Sequence, residues 1–131
     1  MSKARVLLAD DHQAMLAKVR RELGDEFEIV ATVGNGEEAV DAVCRLDPDV
    51  LVIDISMPVL NGLEAASRLR ATSCRTKIVF LTIHTDPDYI AAAFSSGASA
   101  YVSKNRLSTD LVPAIREVLQ GHTFVSETLN N

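Results

Sequence analysis

The sequence predicts an α/β fold: one doubly wound (βα)5 domain, a five-stranded parallel sheet with helices on both faces. Three observations predict it. Short apolar runs alternate with helical patterns five times along the 131 residues. The central runs are apolar almost throughout, as strands covered on both faces are. Strict β–α alternation gives a parallel sheet, and right-handed crossovers point every strand the same way.

Arg5–Ala9 reads as the first strand. Leu16, Val19 and Leu23 then recur at i, i+3, i+7, one face of a helix. Glu28–Val33 is the second strand, broken by Gly34-Asn35-Gly36. Ala39, Val43 and Leu46 mark the next helix, and Asp47-Pro48-Asp49 is a turn. Val50–Asp54 is a buried strand that turns polar only at its last residue. Pro58–Gly62 is a loop, and Leu63, Ala66 and Leu69 give a third helix. Lys77–Thr82 is the fourth strand. Asp86 followed by Pro87 reads as an N-cap with proline at the first helical position. Ile90, Ala93 and Phe94 form that helix's buried stripe, which Gly97 ends. Ala100–Ser103 is a short fifth strand. Leu111, Ile115, Val118 and Leu119 line the last helix, with Pro113 expected in its first turn and Gly121 as its stop.

Bulk properties narrow the function. A chain of this size buries enough surface to fold without a disulfide or metal staple. Hydrophobic residues are 47% and charged residues 24%, an ordinary globular balance. No apolar run reaches membrane-spanning length, and the N-terminal apolar run is too short for a signal peptide. Cys44 and Cys74 stand apart with no metal-binding spacing, which suits reduced thiols in the cytoplasm. The net charge of −5 argues against nucleic-acid binding by this segment, which needs a basic face, and is compatible with a cation site.

The chemistry sits at the strand ends. Asp10 and Asp11 follow the first strand, Asp54 ends the third, Thr82 the fourth, and Lys104 follows the fifth. Parallel strands deliver all of these to one edge, where such sheets bind ligands. In the strand order 2-1-3-4-5, three carboxylates meet beside a hydroxyl and an ammonium. Adjacent carboxylates repel unless a positive charge is near. A hard divalent cation with oxygen ligands answers that need, and Mg2+ fits best. Asp54, alone at the centre of the edge, is then the candidate nucleophile. Asp10 and Asp11 are the candidate metal ligands. A phosphoryl group is the natural electrophile, its charge met by the ion, Lys104 and Thr82, giving an aspartyl phosphate. His12 tempts a metal reading, but a single His without a second soft ligand is more often a surface or capping residue.

These residues carry a resemblance. "LLADDH", "VIDISMPVLNG", "IVFLT" and "GASAYVSK" resemble, in order and over residues 4 to 120, the receiver domain of two-component response regulators. "DDH", "GASAYVSK" and "LVPAIREVLQGHTFVS" are similar to the NarL/FixJ-like branch, whose members usually continue into a LuxR-type helix-turn-helix domain. The resemblance implies a flavodoxin-like fold with Asp54 as phosphoacceptor. It implies Mg2+ held by Asp10, Asp11, Asp54 and the Ser56 carbonyl, and phosphoryl oxygens bound by Thr82 and Lys104. Tyr101 matches an aromatic switch position working with Thr82. A sensor histidine kinase would be the phosphodonor, and phosphorylation would favour a homodimer or release an output domain that regulates transcription. Any DNA contact would belong to a C-terminal domain outside this segment. Residues 1–121 are expected to form the receiver and 122–131 to begin a linker. Two departures stand out. Asn105 follows Lys104 where many receivers have proline. Ser56 and His84 fill two variable positions that tune dephosphorylation in the family.

Other readings remain open. A receiver catalyses only its own phosphoryl transfer and dephosphorylation, and is not an enzyme in the ordinary sense. An aspartyl-phosphate phosphatase would want a second acid two residues after the nucleophile, where this chain has Ser56. A flavodoxin-like cofactor binder would not place two carboxylates where a phosphate must sit. A pseudo-receiver, working as an interaction module without phosphorylation, is disfavoured by the complete site set.

Overall fold

The computed structural model describes residues 2–126. The strands are β1 (Arg5–Ala9), β2 (Glu28–Val33), β3 (Val50–Ile53), β4 (Lys77–Thr82), β5 (Ala100–Ser103) and β6 (Phe124–Val125). Between them run α1 (Gln13–Leu23), α2 (Gly36–Leu46), α3 (Gly62–Ala71), α4 (Pro87–Ser95) and α5 (Leu107–Leu119). The sheet is parallel throughout, in the order β2-β1-β3-β4-β5-β6. The five-strand expectation is therefore corrected to six. β6 is two residues long, too short to show an alternation, and it joins β5 at the sheet's edge through Ala100–Phe124 and Tyr101–Val125.

Successive strand residues point to opposite faces, and both faces are covered. Val6, Leu8, Val50, Val52, Val79 and Val102 meet Leu16, Val19 and Leu23 of α1 and Leu111, Ile115 and Val118 of α5. Leu7, Leu51, Ile53, Ile78 and Phe80 meet α2, α3 and α4 on the other side. Those three helices present mostly alanine, with Ala39, Ala42, Ala65, Ala66 and Ala93 all fully buried, so their backbones lie close to the sheet. Each fully buried leucine, isoleucine or phenylalanine contributes about 1.5–3 kcal/mol.

Local signals set the helix starts. Asn35 and Asn61 accept hydrogen bonds from the main-chain N–H of Glu38 and Glu64, at 2.8 and 2.9 Å. Asp86 caps α4 as expected, accepting from Asp88 N–H at 2.8 Å with Pro87 at the first position. Two expectations for α5 need correction. The chain is already helical from Leu107, entered through a 3₁₀ turn at Lys104–Arg106, so Pro113 lies inside the helix. Leu119, on the last turn, is exposed rather than part of the buried stripe.

Residues 122–126, read from the sequence as the start of a linker, run along the sheet. Ser126 is fully buried. Its N–H donates to Tyr101 O at 3.0 Å and its Oγ accepts from Ser103 N–H at 3.0 Å. Residues 127–131 lie outside the described residues.

Candidate functional site: an acid pocket at the strand ends

β1 and β3 are neighbours, paired from Val6–Val50 to Ala9–Ile53. Asp10 and Asp54 are each the first residue beyond their strand, and Asp54 N–H donates to Ala9 O at 3.1 Å. The register thus brings two carboxylates to one height, and both are buried. Lys104, the first residue beyond β5, reaches them across the strand ends. Its Nζ lies 2.9 Å from Asp54 Oδ2 and 3.0 Å from Asp10 Oδ2. Burial pulls the Lys104 ammonium's pKa down. Hydrogen bonds and charge from Asp54 and Asp10 outweigh that, and the net displacement is upward.

The remaining carboxylate oxygens are also directed. Asp54 Oδ1 accepts from Ile55 N–H at 2.7 Å. Asp10 Oδ1 accepts from His12 N–H at 2.9 Å, closing the turn into α1. Asp11 is more exposed, and its carboxylate joins those of Asp10 and Asp54 and the His12 ring in one donor cluster, with all four ligand atoms within 4.8 Å of one another. His12 stands at the N-cap of α1 but makes no capping bond with its side chain. Its Nδ1 instead faces Asp10 Oδ1 at 3.2 Å and Asp11 Oδ1 at 3.1 Å. Three convergent carboxylates with one lysine leave an excess of negative charge. That donor set, oxygen-rich and open to solvent through Asp11, fits a hard divalent cation.

Thr82 is fully buried at the end of β4, in register with Ser103. Its Oγ accepts from His84 N–H at 3.3 Å. Tyr101 is fully buried as well, and its O–H donates to His84 O at 2.8 Å. Burial raises the Tyr101 phenol well above the ordinary tyrosine range, and the nearby Asp54, Tyr89 and Asp86 add to the rise. Thr82 and Tyr101 therefore meet at the backbone of His84. The His84 side chain extends this set: Nε2 lies 2.8 Å from Ser56 Oγ, and the ring stacks on Tyr89 of α4 with centroids 4.3 Å apart. The sequence marks Ser56 and His84 only as variable positions. Their contact joins the loop after β3 to α4.

Gly62 closes the floor. Its N–H donates to Ile55 O at 2.8 Å, and a Cβ built there would run into the carbonyl oxygen of Asp54. Above, Asp54 and Lys104 face an open cleft whose walls include His12, Met15, Ser56 and Ile83.

The chain's likeness to known proteins agrees with this geometry. The family described as response regulator receiver domain matches residues 6–116. A transcriptional regulatory protein, DegU, of Brevibacillus brevis is 36% identical over 95% of this chain and 53% of its own length. The oxygen regulatory protein NreC of Staphylococcus epidermidis is 37% identical over 95% of this chain and 59% of its own. The chain thus spans little more than half the length of these curated relatives. Among solved structures, a LuxR-family two-component response regulator from Aurantimonas sp. SI85-9A1 superposes with a TM-score of 0.92 at 31% identity, covering 98% of this chain and 93% of that one. The receiver domain of the putative response regulator NarL from Mycobacterium tuberculosis gives 0.89 at 26%, covering 93% and 100%.

Proposed function

The chain belongs to the response regulator receiver domain family, and from that premise we propose that it takes a phosphoryl group onto Asp54 from the phosphohistidine of a sensor histidine kinase. The observation that carries this reading is the Lys104 ammonium held between Asp54 and Asp10 at 2.9 and 3.0 Å inside a three-carboxylate pocket. Mg2+, held by Asp10, Asp11, Asp54 and the Ser56 carbonyl, would supply positive charge against the transferring oxygens. A carboxylate oxygen of Asp54 forms the new O–P bond as the donor's P–N bond breaks, and the electron pair returns to the donor imidazole. The Ile55 N–H on Asp54 Oδ1 orients the carboxylate for that attack. Lys104 gives up part of its bond to Asp54 and pairs with a phosphoryl oxygen.

Thr82 supplies the switch. Its Oγ already accepts from His84 N–H, so the hydroxyl proton remains for a phosphoryl oxygen. Turning Thr82 toward the phosphoryl group draws on the same backbone segment that holds the Tyr101 hydroxyl. The phosphorylated state then favours one arrangement of the β4–α4 segment. That population shift requires a differential affinity, which the phosphoryl–Thr82 contact provides. The output we propose is homodimerisation or release of an output domain that regulates transcription in the intact protein. DNA contact would lie outside this acidic segment, and the cytoplasm is the expected setting. The catalysis is confined to the chain's own phosphoryl transfer and dephosphorylation.

The test is transfer from a phosphohistidine donor domain carrying labelled phosphate. The expected label is on the wild-type chain, is removed by hydroxylamine as an acyl phosphate is, and is absent from Asp54→Asn. Label that resists hydroxylamine, or that persists in Asp54→Asn, would contradict the assignment.

A further inference from the structure

We infer that Ser126, in the segment after α5, is a positioning residue of the phosphoryl-transfer site: it clamps the end of β5 so that the Lys104 ammonium stands between Asp54 and Asp10. The inference rests on the reading of Asp54 as phosphoacceptor. It adds a residue that touches neither the phosphoryl group nor the cation.

Both the backbone and the side chain of Ser126 build the clamp. Its N–H donates to Tyr101 O at 3.0 Å. Its Oγ accepts from Ser103 N–H, also at 3.0 Å. Regular pairing of β6 with β5 ends at Tyr101–Val125, and the Ser126 hydroxyl takes the strand donor that lies beyond it. The hydroxyl also bonds the Asp110 carboxylate in the first turn of α5. Burial pushes the Asp110 carboxyl's pKa up, but bonds from Arg106, Ser126 and Thr109 outweigh that, and the net displacement is downward. Ser126 is fully buried, so water cannot stand in for any of these bonds.

Placement makes the clamp bear on the site. Ser103 ends β5 and immediately precedes Lys104, whose side chain is only 9% exposed between the two carboxylates. The chain enters the 3₁₀ turn at once. Ser103 Oγ accepts from Asn105 N–H at 3.3 Å, a bond that a proline after Lys104 could not supply. At the other end of the turn, Arg106 Nε donates to Asp110 Oδ2 at 2.9 Å. The turn that carries Lys104 is thus held before and after by groups that Ser126 bonds. Lysine has a flexible stem, so its ammonium is placed only as well as its backbone is. A misplacement of about 1 Å at a reacting centre can cost about a hundredfold in rate. Coupling of this kind is reciprocal, so a phosphoryl group that engages Lys104 also favours the seated Ser126.

The test has two arms. In the first, the wild-type chain and Ser126→Ala are phosphorylated with acetyl phosphate and Mg2+, and intact mass reads the rate. The rate in Ser126→Ala should fall at least about tenfold. Mg2+ affinity by calorimetry should stay within about twofold, because the cradle's carboxylates follow β1 and β3, not β5. The second arm needs no substitution. Amide hydrogen exchange is followed by NMR on the wild-type chain with Mg2+, before and after addition of beryllofluoride, which occupies a carboxylate as a phosphoryl group does. The Ser103 and Ser126 amides should slow at least about threefold more than the Lys77 amide, which bonds Asp49 O at the opposite end of the sheet. A merely structural Ser126 would show uniform slowing. A smaller fall in rate in a folded Ser126→Ala, or equal slowing at all three amides, overturns the inference and leaves the phosphoacceptor reading standing. A joint fall of rate and Mg2+ affinity also overturns it, by showing general damage to the site. If Ser126→Ala does not fold, the exchange arm alone decides. A wild-type chain that takes neither phosphoryl group nor beryllofluoride overturns the phosphoacceptor reading itself, and the inference with it.

Discussion

Lys104 and Tyr101 illustrate how single residues tie the site to stability. Both hold their protons more tightly in the fold than in the open chain, from ordinary values of 10.5 and 10.0. For Tyr101 the main cause is burial; for Lys104 it is the two carboxylates, acting against burial. Between those ordinary values and the raised ones, the folded chain carries more protons than the unfolded chain. Stability is then present in full below about pH 10 and falls as pH rises further. Urea midpoints measured from pH 8 to 11 should decline at the alkaline end, and Tyr101→Phe should flatten the decline. An identical slope in wild type and Tyr101→Phe would contradict the buried phenol. Asp10, Asp11, Asp54 and Lys104 were legible in the sequence because a charge at the end of a buried apolar run needs a partner or a ligand to meet it. His84 was not legible as the meeting point of Thr82 and Tyr101. Those contacts use the backbone N–H and carbonyl, which nearly every residue type carries, so no side-chain signal announces them. His12 was visible, but the inward turn of its ring depends on rotamer and on the neighbouring Asp11, which spacing does not encode.

Strands and helices present the site through close backbone contacts. Gly62 opens α3 directly against the Asp54 carbonyl, and the space admits no Cβ. Gly62→Ala should cost about 1–3 kcal/mol, as overpacking does, and should slow phosphorylation by displacing Asp54. Gly34, before α2, faces open space, so Gly34→Ala should stay within about 0.5 kcal/mol of wild type. Denaturant titration of the pair checks this, and equal effects would mean that the Gly62 contact is not rigid. Val59 adds to the picture of a constrained loop: it is an exposed β-branched residue at φ 69° between Ser56 and α3. Such a conformation is unfavourable for L-residues and persists where surrounding structure imposes it. At this scale five strands and five helices were readable from periodicity and punctuation. β6 was not, because two residues cannot show a period of two. The start of α5 was missed because Pro113 suggests a helix beginning, while the 3₁₀ turn after Ser103 lets the helix begin at Leu107.

At the scale of the whole molecule, the doubly wound sheet brings residues from four strand ends to one edge, so the site exists only in the folded chain. A cation that binds there binds the native state alone and must stabilise it. At a hundredfold excess over its Kd, Mg2+ should raise stability by about 2.7 kcal/mol. Thermal unfolding with and without Mg2+ checks this, and Asp11→Ala should remove most of the gain. An equal gain in that variant would place the ion elsewhere. The net charge of −5 and the acid pocket suit the proposed cation site. The curated relatives are nearly twice as long as the stretch this chain covers. The central claim is that Asp54 is a phosphoacceptor whose reaction depends on the cation. Intact mass after incubation with a small phosphodonor, with and without Mg2+, on wild type and Asp54→Asn, tests it most directly. The account predicts a gain of one phosphoryl group that requires both Mg2+ and Asp54. No gain under any condition would contradict it, and the chain would then act as an interaction module that keeps the receiver fold without its chemistry.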